Sequence, residues 1–226
     1  MREVWISKNV REHYERLHSE ERFNTEEKFY SYILDLIRAE PYKRILDVGC
    51  GKSTLLLQAQ ERRLNGWGID ISFNALKDMA ERGDGLKLIQ SYAEFLPFKD
   101  NSFDYLVCLG SLEHFIKLEE SLKEMARVIK PDGYACFVVP NSLWIGRAIY
   151  ELRYRFIKNS CQPIERLASR REWEEIIERN GFKIIDIYKH NLVWTPKGPI
   201  RIFYKLLIRP FISLDFSYHF IFLCKR

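Results

Sequence analysis

Residues 44 to 53 read Arg44-Ile45-Leu46-Asp47-Val48-Gly49-Cys50-Gly51-Lys52-Ser53, an apolar strand pattern that runs straight into a glycine turn. Glycine at 49 and 51 tolerates positive φ and leaves no Cβ between backbone and ligand, so the turn can cradle a nucleotide-like molecule. Asp70 follows about 20 residues later, the interval at which a βαβ unit brings a carboxylate to a ribose diol. Single positions argue against two other phosphate-binding patterns. A P-loop needs glycine where this chain has Leu46, although Gly51-Lys52-Ser53 fits the ending of that motif. The dinucleotide fingerprint G-x-G-x-x-G needs a third glycine where this chain has Thr54, and it has no use for an acid at Asp47.

Alternating strands and helices must position these residues. Strand patterns fall near 44–48, 66–70, 86–91, 103–109 and 134–139, and helical periodicity falls near 54–63, 73–82 and 117–129. Ser53-Thr54 offers a hydroxyl suited to the N-cap of the helix after the glycine turn. Val10 to Ala39 reads as helical, closed by Pro41. Arg170 to Asn180 reads as a helix ended by Gly181, with further strands at Lys183 to Lys189 and Tyr218 to Cys224. Alternation of this kind implies a parallel α/β sheet with helices on both faces, whose ligands bind at the carboxyl ends of the strands. Asp47, Asp70, Ala93 and Leu109 all fall at such ends.

With these features in place the chain resembles the class I S-adenosylmethionine (SAM)-dependent methyltransferases, and within them the small-molecule type 11 group that includes quinone-biosynthesis enzymes. Asp47-Val48-Gly49-Cys50-Gly51 is similar to the first motif of that family, Asp70 to its ribose-binding acid, and Ala93-Glu94-Phe95-Leu96-Pro97-Phe98 to its segment after the third strand. Phe103 to Cys108 followed by Leu112-Glu113-His114 resembles its fourth strand and the loop beyond. Glu124 to Gly133 resembles its helix-to-strand-five corner. Two positions depart: Tyr92 stands where the family usually has Asp or Asn for the adenine amine, and Ser53 where it often has Gly. Tyr92 either stacks on or flanks the adenine, or packs under the loop.

The resemblance implies a Rossmann-like doubly wound sheet of seven strands, the last inserted antiparallel beside the fifth. It implies SAM as cofactor, with S-adenosylhomocysteine as product. Asp47, Gly49, Cys50 and Gly51 would hold the methionine part, Asp70 the ribose, and the third motif at Tyr92, Ala93 and Glu94 the adenine, with Ile71 after Asp70 and Leu109 at the end of strand four completing the cofactor-binding set. One domain is expected over 1–226: a helical cap at 1–40, a SAM-binding core at 41–140, and a carboxyl-terminal half with lid insertions at about 143–168 and 191–216.

A sulfonium methyl is already activated, so the protein's task is mainly to hold an acceptor in line with it, and a general base is optional. His114 is the candidate base, since it follows strand four where the acceptor is expected and has a suitable unperturbed pKa. The alternative is that Glu113-His114 only orders the loop. Tyr14 is open to a similar pair of readings, a cofactor contact or a packed face of the amino-terminal helix. Leu143 to Lys158 mixes aromatic and basic residues and reads as a lid helix, and Arg201, Lys205 and Arg209 make a basic stripe on an otherwise apolar helix. Residues 1–140 carry 20 basic and 23 acidic side chains, whereas residues 141–226 carry 16 basic and 8 acidic. The overall charge of +5 therefore belongs to the second half. Such a lid suits a small-molecule acceptor of amphipathic or lipid-like character, with contact at a membrane surface one reading of its basic edge and a solvated packing surface or oligomer interface the other.

Nucleic acid is the competing explanation for the basic half. The sequence argues against it: strand four ends Cys108-Leu109-Gly110-Ser111, without the Asn/Asp-Pro-Pro-aromatic run of base-amino methyltransferases, and no RNA-binding module is visible. RNA methylation is retained as an alternative, as is a SAM-binding accessory subunit without turnover of its own. The five cysteines form no C-x-x-C pair, so neither a metal site nor a disulfide is expected. With no amino-terminal signal pattern and no apolar run long enough to span a bilayer, the expected location is the cytoplasm.

Overall fold

The computed structural model describes residues 1–5, 9–19, 27–52, 54–83, 85–144, 163–190 and 213–226. β1 (Arg2–Trp5) is followed by α1 (Val10–Ser19) and α2 (Glu27–Leu36). The repeating part runs β2 (Arg44–Val48), α3 (Leu55–Glu61), β3 (Asn65–Asp70), α4 (Phe73–Arg82), β4 (Lys87–Gln90) and β5 (Phe103–Leu109). A 3-10 turn at Leu112–His114 leads to α5 (Leu118–Val128) and β6 (Ile129–Pro140). The chain continues with β7 (Ile164–Leu167), α6 (Arg170–Arg179), β8 (Lys183–His190), a second 3-10 turn at Leu214–Phe216, and β9 (His219–Lys225).

Seven strands form one sheet in the order β4-β3-β2-β5-β6-β9-β8. The pairs from β4 to β6 are parallel, and β9 is antiparallel to both β6 and β8. This is the doubly wound sheet expected from the sequence, with its last strand antiparallel. Strand order reverses between β2 and β5, and that switch point opens the crevice in which open α/β sheets bind ligands.

Period-two alternation explains why helices cover both faces. In β2, β5, β6 and β9, Leu46, Leu106, Phe137 and Phe222 face one core with Met125 of α5 and Trp173 of α6. Their neighbours Ile45, Val107, Cys136 and Ile221 face the other, with Ile33 and Leu34 of α2 and Leu55 of α3. Trp173 is fully buried, and its Nε1–H donates to the carbonyl of Pro140 at 3.0 Å, which ties α6 to the end of β6. Ser169 and Glu172 form a capping box on α6, and Gly181, at φ +99°, ends it with its N–H on the carbonyl of Glu178.

Some local expectations meet a different outcome. Thr54 is the N-cap of α3, but its hydroxyl makes no capping hydrogen bond and is buried without a partner among the described residues. Within the segment read as a helical cap, residues 2–5 are a strand, paired antiparallel with β7 so that Glu3 lies opposite Arg166. That two-stranded sheet was not anticipated, because each half is only 4 residues long and its partner is distant in sequence. Most of the expected lid helix at Leu143 to Lys158, and the basic stripe at Arg201, Lys205 and Arg209, lie outside the described residues. Cys50, Cys108, Cys136 and Cys224 are buried free thiols, and burial alone pushes Cys136 up to about 12. No described helix is long and apolar enough to cross a membrane.

Candidate active site

The glycine turn is held from two sides. Gly49 and Gly51 both have left-handed φ, +72° and +49°. The N–H groups of Gly49 and Cys50 donate to the carbonyl of Ile69 at 2.8 and 2.9 Å, and the N–H of Gly51 donates to Asp70 Oδ2 at 2.7 Å. Ser72 N–H donates to Asp70 Oδ1 at 2.8 Å. Asp70 is thereby fixed by backbone donors on each oxygen, the arrangement of a carboxylate held in one orientation. Ser111, after β5, closes the other side: its hydroxyl donates to the carbonyl of Gly49 at 3.0 Å. A Cβ at position 49 would stand 2.6 Å from Ser111 Cβ, so only glycine lets the turn pack here.

One cleft gathers the predicted residues at the switch point. Its walls include Gly49, Cys50, Gly51, Asp70, Ile71, Tyr92, Ala93, Glu94, Leu109 and His114. Asp47 is not part of that wall. It is 2% exposed and within electrostatic reach of Cys50 and Cys108. Tyr92 is 39% exposed and lines the cleft, so packing beneath the loop does not describe it. Glu94 is buried, and its carboxylate accepts the N–H of Lys117 at the start of α5. The neighbouring loop is pinned in the same way from α5, where Glu124 accepts Leu96 N–H and Arg127 donates to the carbonyls of Leu96 and Phe98. The Ala-Glu-x-Leu-Pro-Phe segment and the Glu-x-x-Arg of α5 thus belong to one structural link.

Further wall residues come from parts of the chain outside the motifs, with Tyr14, one of whose two sequence readings is a cofactor contact, among them. Val10 and Tyr14 of α1 and Tyr30 of α2 cover the cleft, and Gly110, Ser111, Phe115 and Ile116 line it beyond β5. The signal for the last group was position alone, directly after the strand at the switch point. α1 is seated by Glu15, whose carboxylate accepts the N–H groups of Phe73 and Asn74 and the hydroxyl of Ser72 at the start of α4. Backbone donors at that helix end hold the Glu15 carboxyl below its usual range even though its partial burial acts the other way.

His114 lies in the wall in a defined tautomer. Its Nδ1 is 2.6 Å from the carbonyl of Ile164, which can only accept, so Nδ1 carries the proton and Nε2 the lone pair. Burial, reinforced by the charge of Arg166, lowers His114 to about 4. Burial raises its neighbour Glu113 to about 8, and Glu113 Oε2 has no hydrogen-bond partner among the described residues. At neutral pH the two side chains, 3.6 Å apart, are therefore a neutral acid beside a neutral imidazole rather than an ion pair. Among the described residues no group of three or more His, Cys, Asp or Glu is placed to hold a metal.

Comparison with known proteins agrees with this arrangement. Residues 46–137 match the family model described as a methyltransferase domain. Over 162 residues the chain is 33% identical to the demethylmenaquinone methyltransferase of Geobacillus stearothermophilus, covering 67% of this chain and 69% of that one. A methyltransferase solved in complex with the Haloferax volcanii Trm112 methyltransferase activator superposes with a TM-score of 0.71 at 16% identity, over 96% of this chain and 97% of that one. Phosphoethanolamine N-methyltransferase 2 of Haemonchus contortus, solved with S-adenosyl-L-methionine, gives 0.62 at 20% identity, over 94% of this chain and 55% of that one. At these identities the solved structures speak to fold alone.

A switch-point crevice, a glycine turn with no room for a Cβ, and a buried acid on the next strand define a nucleoside-cofactor domain of the Rossmann-like class. This chain belongs to the class I SAM-dependent methyltransferases, type 11 group, and its cofactor is SAM.

Proposed function

We propose that this protein transfers the methyl group of SAM to a small amphipathic acceptor, and that Asp70, the glycine turn and the wall beyond β5 divide the work. The observation that carries the reading is the make-up of the cleft. Beside backbone and a fixed carboxylate, its wall carries an apolar and aromatic group, Val10, Tyr14, Tyr30, Phe115 and Ile116, next to His114, while Lys52, Arg82 and Glu94 line it as well. The residues fit SAM: Asp70 is a carboxylate held in one orientation in the cleft wall, suited to a ribose diol, and Gly49 leaves the turn open to close approach. When bound, SAM supplies a sulfonium-activated methyl group.

The protein's own residues then bind and orient. Asp70 would hold the ribose, the turn at Gly49 to Gly51 the methionine part, and Ile71 and Tyr92 to Glu94 the adenine, with Tyr92 offering a ring face rather than a carboxamide. The apolar and aromatic wall excludes water and favours an acceptor with a hydrophobic body, in keeping with the quinone substrate named for the Geobacillus relative. Holding the reacting atoms in line at about 3 Å supplies several kcal/mol of the acceleration. His114 Nε2 is available to accept a hydrogen from the acceptor. With its pKa at about 4 it is a weak base that orients the acceptor more than it removes its proton.

Calorimetric titration with SAM and with S-adenosylhomocysteine, on the natural protein and on Asp70→Asn and Asp70→Ala, tests the cofactor half. Loss of charged hydrogen bonds worth about 1.5–3 kcal/mol each predicts affinity at least tenfold weaker in both variants. Labelled methyl transfer into quinone and lipid extracts, with RNA as comparison, tests the acceptor half. Label in RNA would favour the nucleic-acid alternative, and tight binding without transfer to any pool would favour an accessory role.

A further inference from the structure

The wall beyond β5 is a loop, and a loop has no ladder of its own to fix the side chains it presents. Here the fixing comes from β7. Arg166 is 5% exposed, and its Nη1 donates to the carbonyls of Glu113, at 3.4 Å, and Phe115. Its Nη2 donates to the carbonyl of Ile116 and to Glu3 Oε1 of β1, each at 3.0 Å. From the same strand, the carbonyl of Ile164 takes the Nδ1–H of His114. One short strand therefore holds the backbone at 113, 115 and 116 and the side chain between them.

A guanidinium this buried needs compensation, since removing a cation from water costs several kcal/mol. Among the described residues its ion-pair partner, Glu3, is 40% exposed and so offers a weakened attraction, and the buried Glu94 adds to it at longer range. The other donors go to carbonyls of the cleft wall. The planar fork of arginine can serve several carbonyls at once, which the point charge of lysine cannot. Packing alone would be met more cheaply by an apolar residue of similar size, so the arrangement is explained by what it holds in place.

We propose that Arg166 is the positioning residue of the acceptor wall, gripping the carbonyls of Glu113, Phe115 and Ile116 so that His114 is held on Ile164 with its Nε2 lone pair free for the methyl acceptor. The proposal rests on the reading of this wall as the acceptor side. The groups that act on His114 are Glu113 from its own turn and Arg166 from β7, with Tyr14 of α1 and Glu165 of β7 reaching it through Glu113. Without the grip the loop moves away from β7, and the imidazole regains water and loses its carbonyl partner.

The test follows the His114 imidazole by NMR against pH in histidine-labelled protein, with the signal assigned by its absence in His114→Gln. Arg166→Gln and Arg166→Lys are compared with the natural chain, and each is also titrated with S-adenosylhomocysteine. In the natural protein His114 should stay an Nδ1–H tautomer and remain neutral well below pH 6. In both variants the midpoint should rise by about one pH unit or more toward the free-imidazole value, and the Nδ1–H signature should weaken. S-adenosylhomocysteine affinity should be unchanged. Arg166→Lys should fail to restore the natural behaviour, because it keeps the charge and loses the fork. Should Arg166→Gln not fold, Glu3→Gln, at an exposed partner, should give a smaller shift of the same sign. A His114 midpoint that stays put in a folded variant, or cofactor affinity that falls with it, overturns the proposal. Absence of S-adenosylhomocysteine binding in the natural protein would overturn the functional reading instead, while the imidazole titration would still judge the grip.

Discussion

Position 49 shows how little separates a working cofactor turn from a blocked one. Gly49→Ala would place a Cβ 2.6 Å from Ser111 Cβ at a φ of +72°. Left-handed strain of about 1–2 kcal/mol and overpacking of about 1–3 kcal/mol then act together. Urea unfolding should report a destabilisation of that order, and SAM binding should be lost. The buried Glu113 and His114 make opposite pH predictions. His114 falls to about 4 in the fold, so its contribution to stability is present above its ordinary value near 6.5 and is lost as pH falls toward 4. Glu113 rises to about 8, so its contribution is present below its ordinary value near 4.5 and is lost as pH rises toward 8. Unfolding curves across this range should show Glu113→Gln removing the alkaline loss and His114→Gln the acidic one. The residue types at these positions were legible in the sequence. The tautomer and the neutral state were not, because the tautomer depends on the carbonyl of Ile164, 50 residues away, and the neutral state on burial by the fold, to which the charge of Arg166 adds at His114.

Among the elements, α1 is attached at the edge of the cleft by Glu15. Glu15 caps α4 with two backbone N–H groups and the Ser72 hydroxyl, and Asn74 Nδ2 donates back to the carbonyl of Glu15 at 3.2 Å. Glu15→Ala should remove about 1 kcal/mol, the usual worth of such a cap. Limited proteolysis should then cut within α1 much sooner, while the melting of the central sheet changes little. The lowered Glu15 pKa gives a sign to the acid behaviour: the attachment is complete above the ordinary carboxyl range and weakens as pH falls through it. The helical character of Val10 onward was readable from periodicity. The latch was not, because Glu15 and the end of α4 are brought together only by the fold. β1 and β7 carry the same lesson, as four-residue strands have too few positions for a pattern to stand out.

For the molecule as a whole, the split between an acidic first part and a basic second part bears on where the acceptor is met. If the basic half rests on a membrane, the protein should co-sediment with anionic vesicles at low ionic strength and be released as salt screens the attraction. Vesicles of neutral lipid should bind it far less, and failure to bind anionic vesicles at low salt would remove the membrane-surface reading. The sequence by itself determined the parallel α/β alternation, the glycine turn and Asp70, because strand alternation, glycine spacing and the interval to the next acid are local properties that neighbouring residues enforce, whereas the antiparallel last strand was implied by the family resemblance. It also marked His114 as the side chain to watch. Only the tertiary structure decided that Asp47 is buried apart from the cleft lining, that Tyr92 lines the cleft, and that α1 contributes to its wall. It also decided that Arg166 and Ile164 hold the loop beyond β5 from a separate strand. These are consequences of contacts between distant segments, and no local pattern encodes which buried polar group will find which partner.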